Sequence, residues 1–104
     1  MTTISLEDLT INTFLDQQNG KPFTVQLEEP RSVQLILESV TELKNYSGTQ
    51  TRPPFSLLFK DRSPAAILPQ QIYPLSHEDL GEMTIFLVPI AQDSTGVSYQ
   101  AVFN

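Results

Sequence analysis

The sequence predicts a small, mainly β domain: an antiparallel sandwich or barrel of about six strands with one N-terminal α-helix. Alternating apolar and polar residues recur at a spacing of roughly 10–12 residues from residue 22 onward, as in small all-β domains. Glycine, proline, asparagine and aspartate, which favour turns, separate the alternating stretches. No helical run separates the strands after residue 22, so the crossover connections of a parallel sheet are not expected.

Length and composition predict a single domain spanning residues 1–104. Hydrophobic residues make up 39% of the chain and charged residues 17%, which is sufficient for one modest core. The chain contains no cysteine, which excludes disulfides, thiol catalysis and cysteine-ligated zinc. The sequence also contains no phosphate-binding loop, no dinucleotide fingerprint and no histidine spacing typical of a metal site, so we expect neither a cofactor nor a metal.

The formal net charge of −6 argues against binding nucleic acid or an anionic membrane surface. The six lysines and arginines are scattered rather than clustered, and no apolar stretch approaches the ~20 residues that span a bilayer. The first eight residues lack the basic and apolar regions of a secretion signal. The expected location is cytoplasmic.

The N-terminal segment predicts a helix that begins with a capping box at Ser5–Asp8 and ends at Gly20. Leu6, Leu9, Thr13 and Phe14 have the spacing of one helical face. The alternative is a two-residue hairpin turn at Asn19-Gly20 between two strands, which the β-branched residues nearby favour. We favour the helix because residues 11–17 lack clean alternation.

The first two strands are predicted around residues 23–27 and 33–43, with a turn at 28–31 between them. A change of phase at Val40 and Leu43 predicts a bulge or a bend near Ser39. The polar segment 44–54, which contains glycine and two prolines, is the best candidate for a flexible loop.

The third strand begins at Phe55, and an irregular connection over 61–71 leads to a short strand at 72–77. Pro74 requires that this strand lie at an edge, or that its own position be free of ladder hydrogen bonds. Residues 77–81 predict a turn.

The strand at 83–90 is apolar on both faces, which predicts the most buried strand of the sheet. Tyr99, Ala101 and Phe103 share a face of the last strand. The predicted core comprises Phe23, Val25, Val33, Leu35, Leu37, Phe55, Leu57, Phe59, Ile85, Leu87 and Phe103.

Asp93-Ser94-Thr95-Gly96 resembles an aspartic-protease signature with one extra residue. That chemistry needs a second carboxylate that shares a proton with the first. The same residues suit a hairpin loop over 92–97, because aspartate, serine and glycine favour turns. We interpret the motif as a turn.

His77 is the only histidine, so a metal site would need Glu78, Asp79 and Asp61 as further ligands. Adjacent residues at a strand end point apart, and the spacings typical of histidine metal sites are absent. General-base catalysis would need a substrate pocket that the sequence does not locate. We therefore interpret His77 as a surface turn residue, and no catalytic residue is assigned.

Eight aromatic residues could form a core or line a ligand cavity. Most lie at positions predicted to face inward, so core packing is the favoured interpretation. They are Phe14, Phe23, Phe55, Phe59, Tyr73, Phe86, Tyr99 and Phe103.

Three stretches of the second half are distinctive: "PFSLLFKD" at 54–61, "LPQQIYPLSHEDLGEMTIFLVPI" at 68–90 and "VSYQAVFN" at 97–104. Together they resemble a family of small bacterial proteins catalogued as a domain of unknown function. "LEDL" and "GKPFTV" in the first half are similar too, which supports the helix, whereas 28–53 and 62–67 match poorly. The resemblance implies no activity. It implies that members of the family are encoded near phage-tail-like or tail-fibre collar proteins in bacterial genomes, and therefore that they have a structural or accessory role.

The expected function is a non-enzymatic protein-interaction or assembly module that binds a protein partner or a second copy of itself. The alternatives are a small β-barrel that binds an apolar ligand and, less favoured, an enzyme. The final strand contains no charge and no proline, so we expect association by strand addition along 98–104 if one side of it is free.

Overall fold

A computed structural model describes residues 11–27, 31–43, 54–62 and 66–103. Within them lie one short helix and six strands, which pair antiparallel in the order β1-β2-β3-β6-β5-β4 and close into a barrel. The predicted fold class is therefore confirmed. The elements are α1 (Ile11–Leu15), β1 (Phe23–Gln26), β2 (Ser32–Glu42), β3 (Phe55–Asp61), β4 (Gln71–His77), β5 (Gly81–Asp93) and β6 (Gly96–Phe103).

Strand β2 is long because it pairs with two different neighbours. Residues 32–35 pair with β1, and 36–42 pair with β3. The register shifts between Leu37 and Ser39, so an extra residue bends the strand where it passes from one neighbour to the other. The bulge predicted near Ser39 is confirmed.

Strand β5 has the same role on the opposite side of the barrel. Residues 81–87 pair with β4, and 88–93 pair with β6. A second register shift lies between Pro89 and Ala91. Two bent strands thus join two small sheets into one closed wall.

The core consists of the side chains that alternate toward the barrel interior. Ten of the eleven predicted core residues are buried, and Val33 is half-buried and packs against the others. Phe23 and Phe59 meet edge to face, with ring centroids 5.2 Å apart. Eight residues outside the predicted set are buried in the same cluster: Phe14, Leu68, Tyr73, Leu75, Met83, Val97, Tyr99 and Ala101.

Helix α1 closes one end of the barrel through Phe14. Its ring lies 6.3, 5.9 and 5.7 Å from those of Phe23, Phe55 and Phe103, which antiparallel pairing brings to the same end. Asn19 then takes a left-handed conformation (φ 56°) and donates its N–H to the Leu37 carbonyl at 2.7 Å.

The alternative of a hairpin turn at Asn19-Gly20 is therefore wrong, because α1 and a turn precede it rather than a strand. The helix ends earlier than predicted, at Leu15 rather than at Gly20, and Asn19 in the turn that follows takes the left-handed conformation. The predicted capping box at Ser5–Asp8 lies outside the described residues.

Residues 66–70 close the opposite end of the barrel. The Tyr99 hydroxyl accepts a hydrogen bond from the Leu68 N–H at 2.8 Å, and the Tyr73 hydroxyl donates to the Pro69 carbonyl at 2.5 Å. Leu68 is buried in the core. Two interior tyrosines thus anchor the irregular connection that leads into β4.

The prediction that residues 83–90 form the most buried strand is wrong. Phe86 and Ile90 on β5 are 47% and 50% exposed, because among the described elements nothing covers the outer face there. Strand β3 is more buried, since all its residues except Leu58 are buried. Nearly all of the predicted flexible loop, residues 44–53, lies outside the description.

Phe59→Ala should lower the free energy of unfolding by roughly 3–5 kcal/mol, because it leaves a cavity at the centre of the barrel. Phe86→Ala is the matched control, and its half-exposed ring should cost less than about 1 kcal/mol. Urea denaturation of both variants measures the difference. A loss below about 1 kcal/mol for Phe59→Ala would place this residue outside the core.

Candidate functional site

Asp93 ends β5 and fixes a tight hairpin. It pairs with Gly96, which leaves Ser94 and Thr95 as a two-residue loop. Its Oδ1 accepts hydrogen bonds from the Thr95 N–H at 2.8 Å and the Thr95 hydroxyl at 2.5 Å. Lys60 Nζ donates to both carboxylate oxygens, at 3.3 and 3.5 Å. The interpretation of the motif as a turn is confirmed.

These contacts stabilise the ionised form of the Asp93 carboxylate. Hydrogen bonds from the Thr95 side chain and backbone, followed by that from Lys60, lower the pKa of Asp93 to about 2. Its described partners are therefore a threonine and a lysine, rather than a second carboxylate that could share a proton with it.

Gly96 is explained by close packing at the start of β6. Its φ of 137° is unfavourable for residues with a side chain, and a Cβ atom there would overlap the Asp61 carbonyl oxygen at the end of β3. The glycine of the protease-like motif therefore allows the start of β6 to pack closely against the end of β3.

His77 is buried, so its interpretation as a surface turn residue is wrong. Its side chain follows the inward alternation of β4, and its ring lies 4.5 Å from that of Phe23, centroid to centroid. Nδ1 accepts hydrogen bonds from the Asp79 N–H at 3.0 Å and the Leu80 N–H at 3.3 Å. This pattern requires a neutral ring with its proton on Nε2.

Burial lowers the pKa of His77, while the charge of Asp79 opposes this and that of Lys21 reinforces it. Among the described residues, the buried Nε2 atom has no hydrogen-bond partner. The Lys21 main chain raises the pKa, but by less than burial lowers it. The environment therefore favours the neutral form that caps the turn.

Glu78 and Asp79 pair with Lys21 rather than forming a metal site with His77. Lys21 Nζ lies 3.2 Å from Asp79 Oδ1 and 3.7 Å from Glu78 Oε2. Asp61 is at the opposite end of the barrel. Within the described part of the chain, no group of three or more metal-ligating side chains comes together.

Seven of the eight aromatic residues are buried in the core, as the favoured interpretation predicts, and Phe86 is the exception. The rings of Phe55 and Phe103 are stacked, with centroids 4.8 Å apart. The buried residues described form one packed cluster, and the depressions described below are open to the outside of the barrel.

An apolar pair is exposed on the outer face of β4 and β5. Ile72 and Phe86 are directly opposite each other in the ladder, and they are 66% and 47% exposed. The sequence signal for this pair was present in the apolar outer face of β5. Such a face predicts burial only where a second layer covers it, and periodicity does not show whether one does.

A furrow runs beside this pair, along β4. Two open depressions of about 340 and 480 Å³ share Gln26 and Pro74, and we call them together the β4 furrow. Its walls are formed by Gln26, Leu27, Arg31, Leu68, Pro69, Gln71, Ile72, Tyr73, Pro74, Leu75, Ser76, Glu82, Met83 and Thr84.

Pro74 explains why the furrow opens. Strands β1 and β4 pair through Thr24–Ser76 and Val25–Leu75, and the ladder stops where Gln26 would face Pro74. Proline has no N–H to continue the ladder. Pro74 therefore lies just beyond the β1–β4 ladder. This fits one of the two alternatives predicted for it, a position without ladder hydrogen bonds.

The premise of strand addition along 98–104, that one side of the strand is free, is wrong for residues 98–100. Residues 97–100 of β6 pair with both β3 and β5, because the barrel closes on both sides of the strand. Residues 101–103 also pair with β3, and Asn104 lies outside the described residues.

The fold and its surface define a small antiparallel β-barrel with a packed interior and an apolar outer patch. Residues 9–103 match the family described as "Domain of unknown function (DUF6916)", and the chain belongs to that family. No curated protein and no solved structure matches the chain. In the described ranges, no helix is long and apolar enough to cross a membrane.

Protein stability should fall as the pH drops below about 6.5, the pKa of an unperturbed histidine. Between that pH and the lowered pKa of folded His77, the unfolded chain binds a proton that the folded chain does not. Urea denaturation between pH 8 and pH 5 should show this slope.

His77→Gln removes the only imidazole and should flatten the profile over the same range. Equal slopes for the wild type and His77→Gln would contradict a buried, neutral His77.

Proposed function

We propose that this protein is a non-enzymatic protein-interaction or assembly module. The observation that carries the proposal is the exposed Ile72–Phe86 pair on the outer face of β4 and β5. A protein partner or a second copy that covered this pair would remove two large apolar side chains from water.

The structure around the pair suits recognition. Both residues lie on paired strands, so a partner would meet a surface that is already ordered. A partly exposed phenylalanine on such a surface is also typical of interface cores, which are enriched in aromatic residues.

The roles of Asp93 and His77 favour binding over catalysis. Asp93 is engaged by Thr95 and Lys60, and His77 Nδ1 accepts two backbone N–H groups. Each group therefore already has a structural role in a turn. The packed interior gives less support to the alternative of a barrel that binds an apolar ligand.

Within this proposal, an accessory role in a phage-tail-like assembly is the specific form that the family resemblance suggests. A module of this kind would contribute a docking surface to a larger complex. A cytoplasmic site of action belongs to the same proposal.

Ile72→Lys should reduce recovery of the partner by about tenfold or more, because it places a charge in the apolar contact. Tagged wild type, Ile72→Lys and Leu15→Lys would each be used to capture proteins from extracts of the native host, with quantitative mass spectrometry. Light scattering of the purified proteins tests whether the partner is a second copy.

Leu15→Lys is the matched control, because Leu15 is an exposed apolar residue on α1 (41%), away from β4. It should retain the partner. Equal recovery of every captured protein with Ile72→Lys and with the wild type, together with an unchanged mass in solution, would reject the proposed surface.

A further inference from the structure

We propose that the β4 furrow binds an extended segment of a partner protein, one that carries an apolar side chain between an acidic and a basic residue. This inference rests on the proposed function and names the chemistry of the partner.

The length and direction of the furrow suit an extended chain. Its walls follow β4 from Gln71 to Ser76, and six residues of a strand span about 20 Å. A segment of similar length in the extended conformation would match it. Ile72 stands at the side of the furrow, where it can contact an apolar side chain of that segment.

The backbone of β4 is available for further strand pairing in the half of the furrow formed by Gln71–Pro74. Gln71–Pro74 pair with β5 on one side, and no described strand pairs with them on the other. The end of β1 does not supply this partner, because the Leu27 N–H donates to the Arg31 carbonyl at 3.1 Å. An extended peptide can use such an edge for main-chain hydrogen bonds.

The charges of the furrow set the polarity of the segment. Lys21, Lys60 and Arg62 pair with carboxylates, whereas Arg31 is exposed and has no ion pair within the described structure. Arg31 lines the depression next to Ile72, so an acidic residue of the partner would be attracted there.

Glu82 provides the opposite charge at the other end. It faces Ser76 in the ladder, is exposed and has no ion pair among the described residues. Ile72 and Ser76 are four residues apart on β4, which corresponds to about 13 Å along an extended chain. The acidic and basic residues of the partner should therefore be about four positions apart.

The test is selection from a library of random nonapeptides displayed on phage, followed by affinity measurements on the enriched peptides. Enriched sequences should contain an acidic and a basic residue about four positions apart, with an apolar residue between them. Fluorescence anisotropy with a labelled peptide of this pattern then gives its Kd for each variant.

Arg31→Glu should weaken binding about tenfold, and a peptide whose acidic residue is replaced by lysine should recover most of that loss. Arg62→Glu changes the net charge equally but lies outside the furrow, so it should leave the Kd nearly unchanged. Glu82→Lys should likewise weaken binding, and a peptide whose basic residue is replaced by an acidic one should recover most of that loss. Glu42→Lys is its matched control.

Three results would overturn the inference: no enriched peptide, enriched peptides without this charge pattern, or equal effects of Arg31→Glu and Arg62→Glu. None of them affects the partner capture with Ile72→Lys. If that capture depends on Ile72 while the furrow variants have no effect, the interaction function stands and the extended peptide is wrong. If Ile72→Lys changes nothing there, the proposed function itself fails.

Discussion

Closure of the barrel by two bent strands is the constraint on which the rest of the structure depends. β2 and β5 each pass from one small sheet to the other, and a bulge marks the passage in both. Six strands enclose little more than their own inward side chains. The packed core is therefore a consequence of closure. Polar groups with a structural role lie at the ends of the barrel, and the proposed binding surface lies on its outer face.

The groups that looked chemical in the sequence stabilise those ends and turns. His77 caps the turn between β4 and β5, and Asp93 organises the turn between β5 and β6. Tyr73 and Tyr99 hold the segment before β4 against the interior. These side chains form hydrogen bonds with backbone groups of the turns. In a domain with a small core, such bonds help to hold the strands in a single arrangement.

Most of the architecture was predictable because it follows from local alternation. The inward residues of β1 to β3, the bulge near Ser39 and the turn at Asp93 are all visible as patterns within about ten residues. The burial of His77 and the exposure of Phe86 were not predictable, because each depends on which element packs against it. The furrow was not predictable either. It depends on Gln26 and Pro74, which are far apart in the sequence and are brought together only by the pairing of β1 with β4.

The central claim is that residues 97–100 of β6 lie inside the closed wall, whereas residues 71–74 of β4 have a free edge along the furrow. Native-state hydrogen exchange measured by NMR tests it directly. Amides 97–100 should all be protected, because they have strand neighbours on both sides, whereas protection over 71–73 should be incomplete. Rapid exchange of alternate amides over 97–100, or full protection over 71–73, would contradict this account of the barrel.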